Sequence, residues 1–301
     1  MTKESSSKMI QENVCDFSHK LSHLRVAGNI GNICYPKNSV EVVQNYKEIR
    51  NICKQPFPLG AGSNTLIGHL SDIVLVSDKY FQHSWDYDKS QNLILSSNHN
   101  INFVIMQAAK QGFGGLEFLA GIPAHLGGLV YMNAGAEQKV ISDFVQWIYV
   151  ADEKGEKRYN KDDIEFGYRN SNINGFITKI CLKLQPLNSL YHSSKSCIVQ
   201  YLELVKQKIL NRKAKQPLNT PNLGCFFKNT PNHPAGYLIE QAGLKSFRIG
   251  GAMVSPIHAN FLVNIGKATF EDFMALIDHV RTVVHEKFNI TLDLEVRVIN
   301  G

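Results

Sequence analysis

Leu59-Gly60-Ala61-Gly62-Ser63-Asn64 sets two glycines one residue apart, ahead of two small polar side chains. Glycine lets a backbone approach a ligand closely, and successive N–H groups in such a turn can cradle phosphate. The third glycine of a dinucleotide fingerprint is missing and a strand rather than a helix is predicted next, which excludes that motif. A tight turn without a ligand explains the segment equally well. Gly121-Ile122-Pro123-Ala124-His125-Leu126-Gly127-Gly128, continuing to Met132-Asn133-Ala134-Gly135-Ala136, is dense in glycine among apolar residues. Such a segment is costly to order. Packing against a flat or phosphate-bearing ligand explains that cost, and so does close packing against another strand.

Three further segments carry ionisable groups. In Gly167-Tyr168-Arg169-Asn170-Ser171 the guanidinium offers a fixed fork of donors for a carboxylate, although a Tyr-Arg pair is ordinarily a surface feature. Gly224-Cys225-Phe226-Phe227-Lys228-Asn229 joins a glycine and a small polarisable side chain to two aromatics and a Lys-Asn pair, unlike a simple core strand. Glu295 lies on the polar face of an alternating segment, where a solvent-exposed glutamate is the default reading.

The chain that must position these groups has 301 residues, 44% of them hydrophobic and 19% charged, with a net charge of +6. That composition fits a domain-forming protein and excludes a disordered chain, a coiled coil or a collagen-like fibre. No apolar run reaches the ~18 residues needed to cross a bilayer, and the first residues lack a secretory apolar stretch, so a cytoplasmic protein is expected. The densest basic patch, Lys206 to Lys215, reads as the solvated face of a helix rather than a nucleic-acid contact. The six cysteines contain no Cys-x-x-Cys pair, and no metal site is expected. Most of the cysteines, Cys225 excepted, are expected to be reduced and buried.

Periodicity predicts a helix over Ser39–Cys53, capped by Ser39, with Val40, Val43, Tyr46 and Ile49 on its apolar face. Strands are predicted at 73–76, 93–95, 147–150 and 176–182, a helix over 101–111, and a hairpin turn at Asp152-Glu153-Lys154-Gly155. A second amphipathic helix runs from Cys197 to Arg212, with Tyr201, Val205 and Leu210 on its stripe. A third starts near Thr269, capped with Asp272, and buries Phe273, Leu276, Ile277, Val280 and Val284. The segment alternating Leu292, Leu294, Val296 and Val298 predicts a terminal strand.

Taken in order, Gly-x-Gly-Ser-Asn, Gly-Ile-Pro with Gly-Gly and Asn-Ala-Gly-Ala, Tyr-Arg-x-Ser, Gly-Cys-Phe-Phe-Lys-Asn and Leu-Glu-Val-x-x-Ile form a set spanning nearly the whole chain. The set resembles the UDP-N-acetylenolpyruvoylglucosamine reductase family, in its short form without the extra substrate-capping insertion. The resemblance implies an α+β protein: an FAD-binding fold of the vanillyl-alcohol-oxidase type in two subdomains, then an α+β substrate domain. The boundaries expected are a tail over 1–20, FAD-binding subdomains over 21–85 and 86–190, and a C-terminal domain over 191–301.

It further implies FAD as cofactor, NADPH as co-substrate, and reduction of UDP-N-acetylglucosamine enolpyruvate to UDP-N-acetylmuramate for peptidoglycan synthesis, by a monomer without nucleic-acid partners. Gly60, Gly62, Ser63 and Asn64 would hold the FAD phosphates, and Gly121, Ile122, Gly127, Gly128, Asn133, Gly135 and Ala136 the rest of the cofactor. Tyr168, Lys215, Asn229 and His258 match substrate-binding positions. Arg169 would neutralise developing charge, Glu295 would donate a hydrogen bond if held protonated, and Cys225 would supply the quenching proton in place of the family's more frequent serine. The chain departs from the pattern at Ala124 and His125, where a glycine and a Ser or Thr are usual. It also lacks the Asn-Thr signature ahead of His23-Leu24-Arg25-Val26-Ala27-Gly28. The rival readings are another FAD oxidoreductase of this fold, a non-catalytic flavin- or nucleotide-binding module, and a basic RNA-binding protein.

Overall fold

The computed structural model describes residues 18–26, 28, 30–190 and 196–301. The tail expected over 1–20, with Cys15, falls almost wholly outside the described residues, as do Ala27 and part of the polar stretch before Cys197. The chain forms two compact units. One is built from Gly31–Ala61 and Ser71–Leu204, the other from the described residues up to Ile30 together with Gly62–Leu70 and Val205–Gly301.

The first unit carries two larger sheets, besides three two-stranded pairings among the described residues. Ile33–Cys34, Ile73–Ser77 and Gln55–Leu59 form a parallel three-stranded sheet with the apolar strand at its centre. Val74, Leu75 and Val76 are fully buried, as a continuous apolar run in a parallel strand requires. Helix α1 (Ser39–Asn51) packs with them through Val42, Tyr46 and Ile49. Two details of the predicted helix are corrected. Asn38, not Ser39, is the cap, accepting the Glu41 N–H at 3.0 Å. Val40 is 74% exposed, because the buried stripe runs through 42, 45, 46 and 49 and leaves position 40 on the opposite side of the first turn.

The second sheet is antiparallel, in the order Gly155–Asn160, Val145–Asp152, Phe176–Leu182, Leu93–Ser96, Trp85–Tyr87. Its first two strands close through the predicted turn, with Asp152 opposite Gly155. Helix α2 (Ile101–Lys110) follows its fourth strand, and α3 (Leu126–Tyr131) opens at His125. After the short α4 (Leu187–Leu190), α5 (Cys197–Lys215) carries the chain into the second unit. Of its predicted apolar stripe Tyr201 and Val205 are buried, whereas Leu210 is 46% exposed.

In the second unit a four-stranded antiparallel sheet runs Asn222–Cys225, Phe261–Asn264, Ala252–Val254, Arg248–Ile249. Helix α6 (Ala235–Gln241) and helix α7 (Phe270–Phe288) share its core, in which Phe226 stacks on Phe273 with ring centroids 6.0 Å apart. All five residues predicted for the buried face of α7 are fully buried. The predicted terminal strand is shorter than its alternation suggests. Leu294 makes an isolated bridge to Phe227, and only Arg297–Ile299 forms a ladder, parallel to Thr65–Ile67. The segment changes partner midway, which breaks one strand into two pairings while Leu292 and Val296 stay buried.

Helix α7 begins with the predicted reciprocal cap: Asp272 N–H donates to Thr269 Oγ1 at 3.1 Å, and Thr269 N–H to Asp272 Oδ2 at 3.0 Å. The same carboxylate oxygen accepts the Gly251 N–H at 3.1 Å. Thr269→Ala is expected to cost about 1 kcal/mol in urea unfolding. Asp272→Ala should cost more, since it also strips the Gly251 N–H of its partner; equal losses would show that the Gly251 bond contributes nothing.

Candidate active site

In the first unit, Gly60 ends the strand Gln55–Leu59 beside an Asp78–His125 pair; a Cβ added there would stand 3.6 Å from Asp78 Oδ2 and 3.8 Å from His125 Cβ. Gly121 and Ile122 are held by one side chain: Asn102 Oδ1 accepts the Gly121 N–H at 2.6 Å and its Nδ2 donates to the Ile122 carbonyl at 2.9 Å. Gly127 packs so tightly that a Cβ would meet Ser97 Cβ at 2.9 Å, while Gly128 faces open space.

Asn133 acts as a clamp. Its Nδ2 donates to the Gly167 carbonyl at 2.9 Å and its Oδ1 accepts the Ser142 N–H at 3.3 Å. Ser171 Oγ donates to the Tyr131 carbonyl at 2.7 Å, so the Tyr168-Arg169 turn is pinned on both sides to the end of α3. Arg169 occupies the left-handed region at φ 54°. Its Nη2 donates to the Gly135 carbonyl at 2.6 Å, and its guanidinium lies 5.1 Å from the ring of the exposed Tyr168. Ala136 pairs with Lys139 in the adjoining two-residue ladder.

In the second unit Gly62 has φ 64°, and a side chain there would run into the Leu21 carbonyl, so only glycine fits. Ser63 is half-buried, and Asn64 reaches across the sequence: its Nδ2 donates to the Glu295 carbonyl at 3.2 Å, and its own carbonyl accepts the Arg297 N–H at 3.0 Å. Glu295 N–H in turn donates to the Phe226 carbonyl at 2.8 Å. The structure therefore brings Asn64 and Glu295 together and sets the Glu295 backbone against the residue that follows Cys225. Cys225 is half-buried, is not disulfide-bonded, and closes a strand whose register shifts at Gly224, φ 80°.

Asn260 fixes this segment by imitating a strand. Its side chain accepts the Phe227 N–H at 3.0 Å and donates to the Phe227 carbonyl at 2.8 Å. Asn229 Oδ1 accepts the Ala235 N–H at 3.0 Å at the start of α6. Asn229 and Lys228 line a cleft with Thr291 and Asp293. Lys215 is exposed at the last residue of α5. His258 packs at a tilt on Phe261, 4.9 Å between centroids, and its Nδ1 accepts the Asn260 N–H at 3.2 Å.

The first unit passes a test of fit for a large polar cofactor. Ser97 Oγ and Asn98 Oδ1 are buried without a hydrogen-bond partner among the described residues. Ser97 adjoins Gly127, and Asn98 Nδ2 donates to the Phe81 carbonyl at 2.7 Å, close to Asp78. Native interiors seldom leave such atoms unpaired, so polar groups of a ligand suit this place. Residues 32–158 match the family model described as an FAD-binding domain, so the first unit is that of a flavin-adenine-dinucleotide-binding protein. Residues 216–299 match the model for the C-terminal domain of UDP-N-acetylenolpyruvoylglucosamine reductase.

The enzyme of that name from Synechococcus sp. (strain JA-3-3Ab) is 34% identical over 93% of this chain and 89% of its own length. The one from Listeria innocua is 36% identical over 93% and 92%. The crystal structure of the reductase from Thermus caldophilus superposes with a TM-score of 0.74 at 29% identity, covering 94% of this chain and 97% of that one. The chain belongs to the UDP-N-acetylenolpyruvoylglucosamine reductase family.

The expectation of mostly buried cysteines does not hold. Of the five described, Cys34 and Cys181 are buried, Cys197 and Cys225 are half-buried and Cys53 is exposed, since it follows α1 in a left-handed turn where nothing packs on it. Burial pushes the Cys34 thiol up to about 11 and the Cys181 thiol up to about 12, which leaves both inert near neutrality. Asn102 and Asp78 are the residues that sequence reasoning passed over. Asn102 carried the one available signal, an amide amid the apolar Ile101, Phe103 and Val104.

Burial first, and the Lys245 ammonium second, hold the His258 imidazole below its ordinary range. The bond that its Nδ1 accepts also requires the neutral ring. The unfolded chain therefore binds the extra proton first, so stability rises with pH and is lost as pH falls through the unfolded histidine value of ~6.5. Denaturant midpoints should fall between pH 7.5 and 5.5, and His258→Gln should flatten part of that slope. An unchanged slope in the variant would show that His258 does not contribute.

Proposed function

We propose that this protein reduces UDP-N-acetylglucosamine enolpyruvate to UDP-N-acetylmuramate, with FAD as cofactor and NADPH as co-substrate, in peptidoglycan precursor synthesis. The observation that carries the reading is the convergence of Asn64, Glu295 and the Cys225 strand in one unit of a chain from this reductase family. When bound, FAD supplies a hydride to the enolpyruvyl methylene carbon, with NADPH as the electron source.

The protein's own residues do the rest. Gly60, Gly62, Ser63 and Asn64 serve the cofactor's phosphates, and the Gly121–Ile122 loop held by Asn102, with Gly128, Gly135 and Ala136, lines its remainder. Asn133 and Gly127 support this arrangement from behind, Asn133 by fixing the Arg169 turn and Gly127 by close packing. Hydride addition leaves an enolate-like anion on the substrate. Fixed positive charge aimed at such an anion is ordinarily the largest catalytic contribution. Arg169 is assigned that role, and its pinned turn makes the guanidinium ready in advance. Glu295, in protonated form, donates a hydrogen bond to the same anion. Cys225 then transfers its thiol proton to the adjacent carbon: a C–H bond forms, the S–H bond breaks, and the thiolate regains its proton from solvent.

Tyr168, Lys215, Asn229 and His258 are assigned to the substrate, with the FAD-binding subdomains in residues 21–190, which also contribute Tyr168, and the substrate domain in 191–301. The two family models, over 32–158 and 216–299, support this division. Among the described residues no helix is long and apolar enough to cross a membrane, in keeping with work in the cytoplasm on a soluble nucleotide sugar. A monomer contains every residue the scheme uses.

The purified protein should be yellow, bleach with NADPH, and reoxidise without oxygen when the enolpyruvyl sugar nucleotide is added; bleaching without reoxidation would leave only a flavin-binding module. Cys225→Ser should retain turnover, while a folded Cys225→Ala loses on the order of 10²–10⁴-fold, the usual share of a positioned acid. Full activity in the alanine variant would remove the assignment. Peroxide should inactivate the native protein faster than Cys225→Ser.

A further inference from the structure

His125 is the departure from the family pattern that has acquired a partner of its own. Its Nδ1 lies 3.0 Å and 2.9 Å from the two oxygens of Asp78, whose residue is only 4% exposed. A carboxylate can only accept, so Nδ1 carries a proton and the ring is locked in orientation. His125 is the residue before α3, yet its side chain makes no capping bond, and Nε2 has no hydrogen-bond partner among the described residues.

The backbone around it is already committed. Leu126 N–H donates to the His99 carbonyl at 2.9 Å and Gly127 N–H to the Ser97 carbonyl at 2.8 Å. Two of the donors that a glycine-rich phosphate loop would ordinarily present are thus spent on holding the loop to residues 97–99. An anion next to Gly60 needs a donor from elsewhere; of the two side chains flanking Gly60, Asp78 and His125, only the histidine can donate.

Building on the FAD reading above, we propose that His125, held by Asp78, is a diphosphate contact of the cofactor site. It would donate from Nε2 to a phosphate oxygen where the family pattern has a hydroxyl. A phosphodiester oxygen only accepts, and Nδ1 is already protonated, so the contact requires the doubly protonated ring. Cofactor affinity is therefore coupled to proton uptake at His125. The charged and titratable groups around it are Asp78, whose carboxylate holds Nδ1, and His99, on the segment that pairs with the loop. His99 is held below its ordinary range chiefly by burial, bonds through Nε2 to the Ser84 carbonyl at 2.9 Å, and lies 4.7 Å from the tilted His83 ring, so near neutrality it opposes the His125 cation little. Lys79, next in sequence to Asp78, lies 5.0 Å from the Tyr80 ring and 6.0 Å from that of Tyr35.

The test is the FAD dissociation constant of the holoprotein, read from the fluorescence of flavin released on dilution across pH 6–8.5, with circular dichroism confirming the fold at each pH. The wild type should bind on the order of tenfold or more tightly at the acid end, the scale of one charge-assisted hydrogen bond. His125→Ser should give a series flat with pH, and His125→Ala a series both flat and weaker. Asp78→Asn should move the loosening to lower pH, because the imidazolium loses its counter-charge. A wild-type constant that varies less than twofold overturns the proposal, as does an undiminished pH slope in His125→Ser. Should that variant fail to fold, the wild-type and Asp78→Asn series decide. A protein without flavin at any pH would overturn the functional reading instead.

Discussion

Asn64 ties together three stretches of chain that the sequence keeps far apart. Its amide group and carbonyl engage the backbone at Glu295 and Arg297, while the Glu295 N–H engages Phe226. Each bond alone is worth about 1 kcal/mol net, but a buried backbone group left unpaired costs more than a made bond contributes. The constraint therefore lies in satisfaction: the segment from Asp293 to Ile299 must serve two partners, Phe226–Phe227 on one side and Thr65–Ile67 on the other. Glu295 sits where it passes from one to the other. A residue at such a junction is held by backbone bonds on both sides, so its carboxyl group starts from a fixed point.

The same economy recurs where side-chain amides stand in for backbone. Asn102, Asn133 and Asn260 each use both ends of one amide group to hold a neighbouring segment. Gly121–Ile122, Gly167 and Phe227 are thereby fixed where strand pairing is absent or no more than two residues long. This explains how a region so rich in glycine can be ordered: the entropy of the loops is offset by a few two-ended bonds rather than by a ladder. Arg169 gains its left-handed conformation from such support, since Asn133 and Ser171 hold the residues around it.

What could be read from the amino-acid order divides along physical lines. Helix α7 was legible in its start and its buried face because its cap and its apolar stripe agree. The motif set was legible because several rare combinations occur in sequence, and it led to the family directly. Helix α1 was legible in extent but not in face, since Val40 and Val42 are equally apolar and only tertiary packing chooses between them. The terminal segment reads as one strand because alternation records burial, and burial does not reveal that the hydrogen-bond partner changes halfway. Asp78 was invisible for a simpler reason: nothing in its surroundings announces that a histidine 47 positions later will close on it.

The parallel pairing of Thr65–Ile67 with Arg297–Ile299 also imposes an order in time. Asn64 and Glu295 are separated by 231 positions. At ~5–20 residues per second on the ribosome, the early strand waits roughly 10–50 s for its mate. Throughout that interval Leu66 and Ile67, both buried in the finished protein, belong to an unpaired apolar edge. Nascent chains of this protein are thus exposed to capture by chaperones or by one another until synthesis passes Ile299, whatever the stability of the completed fold.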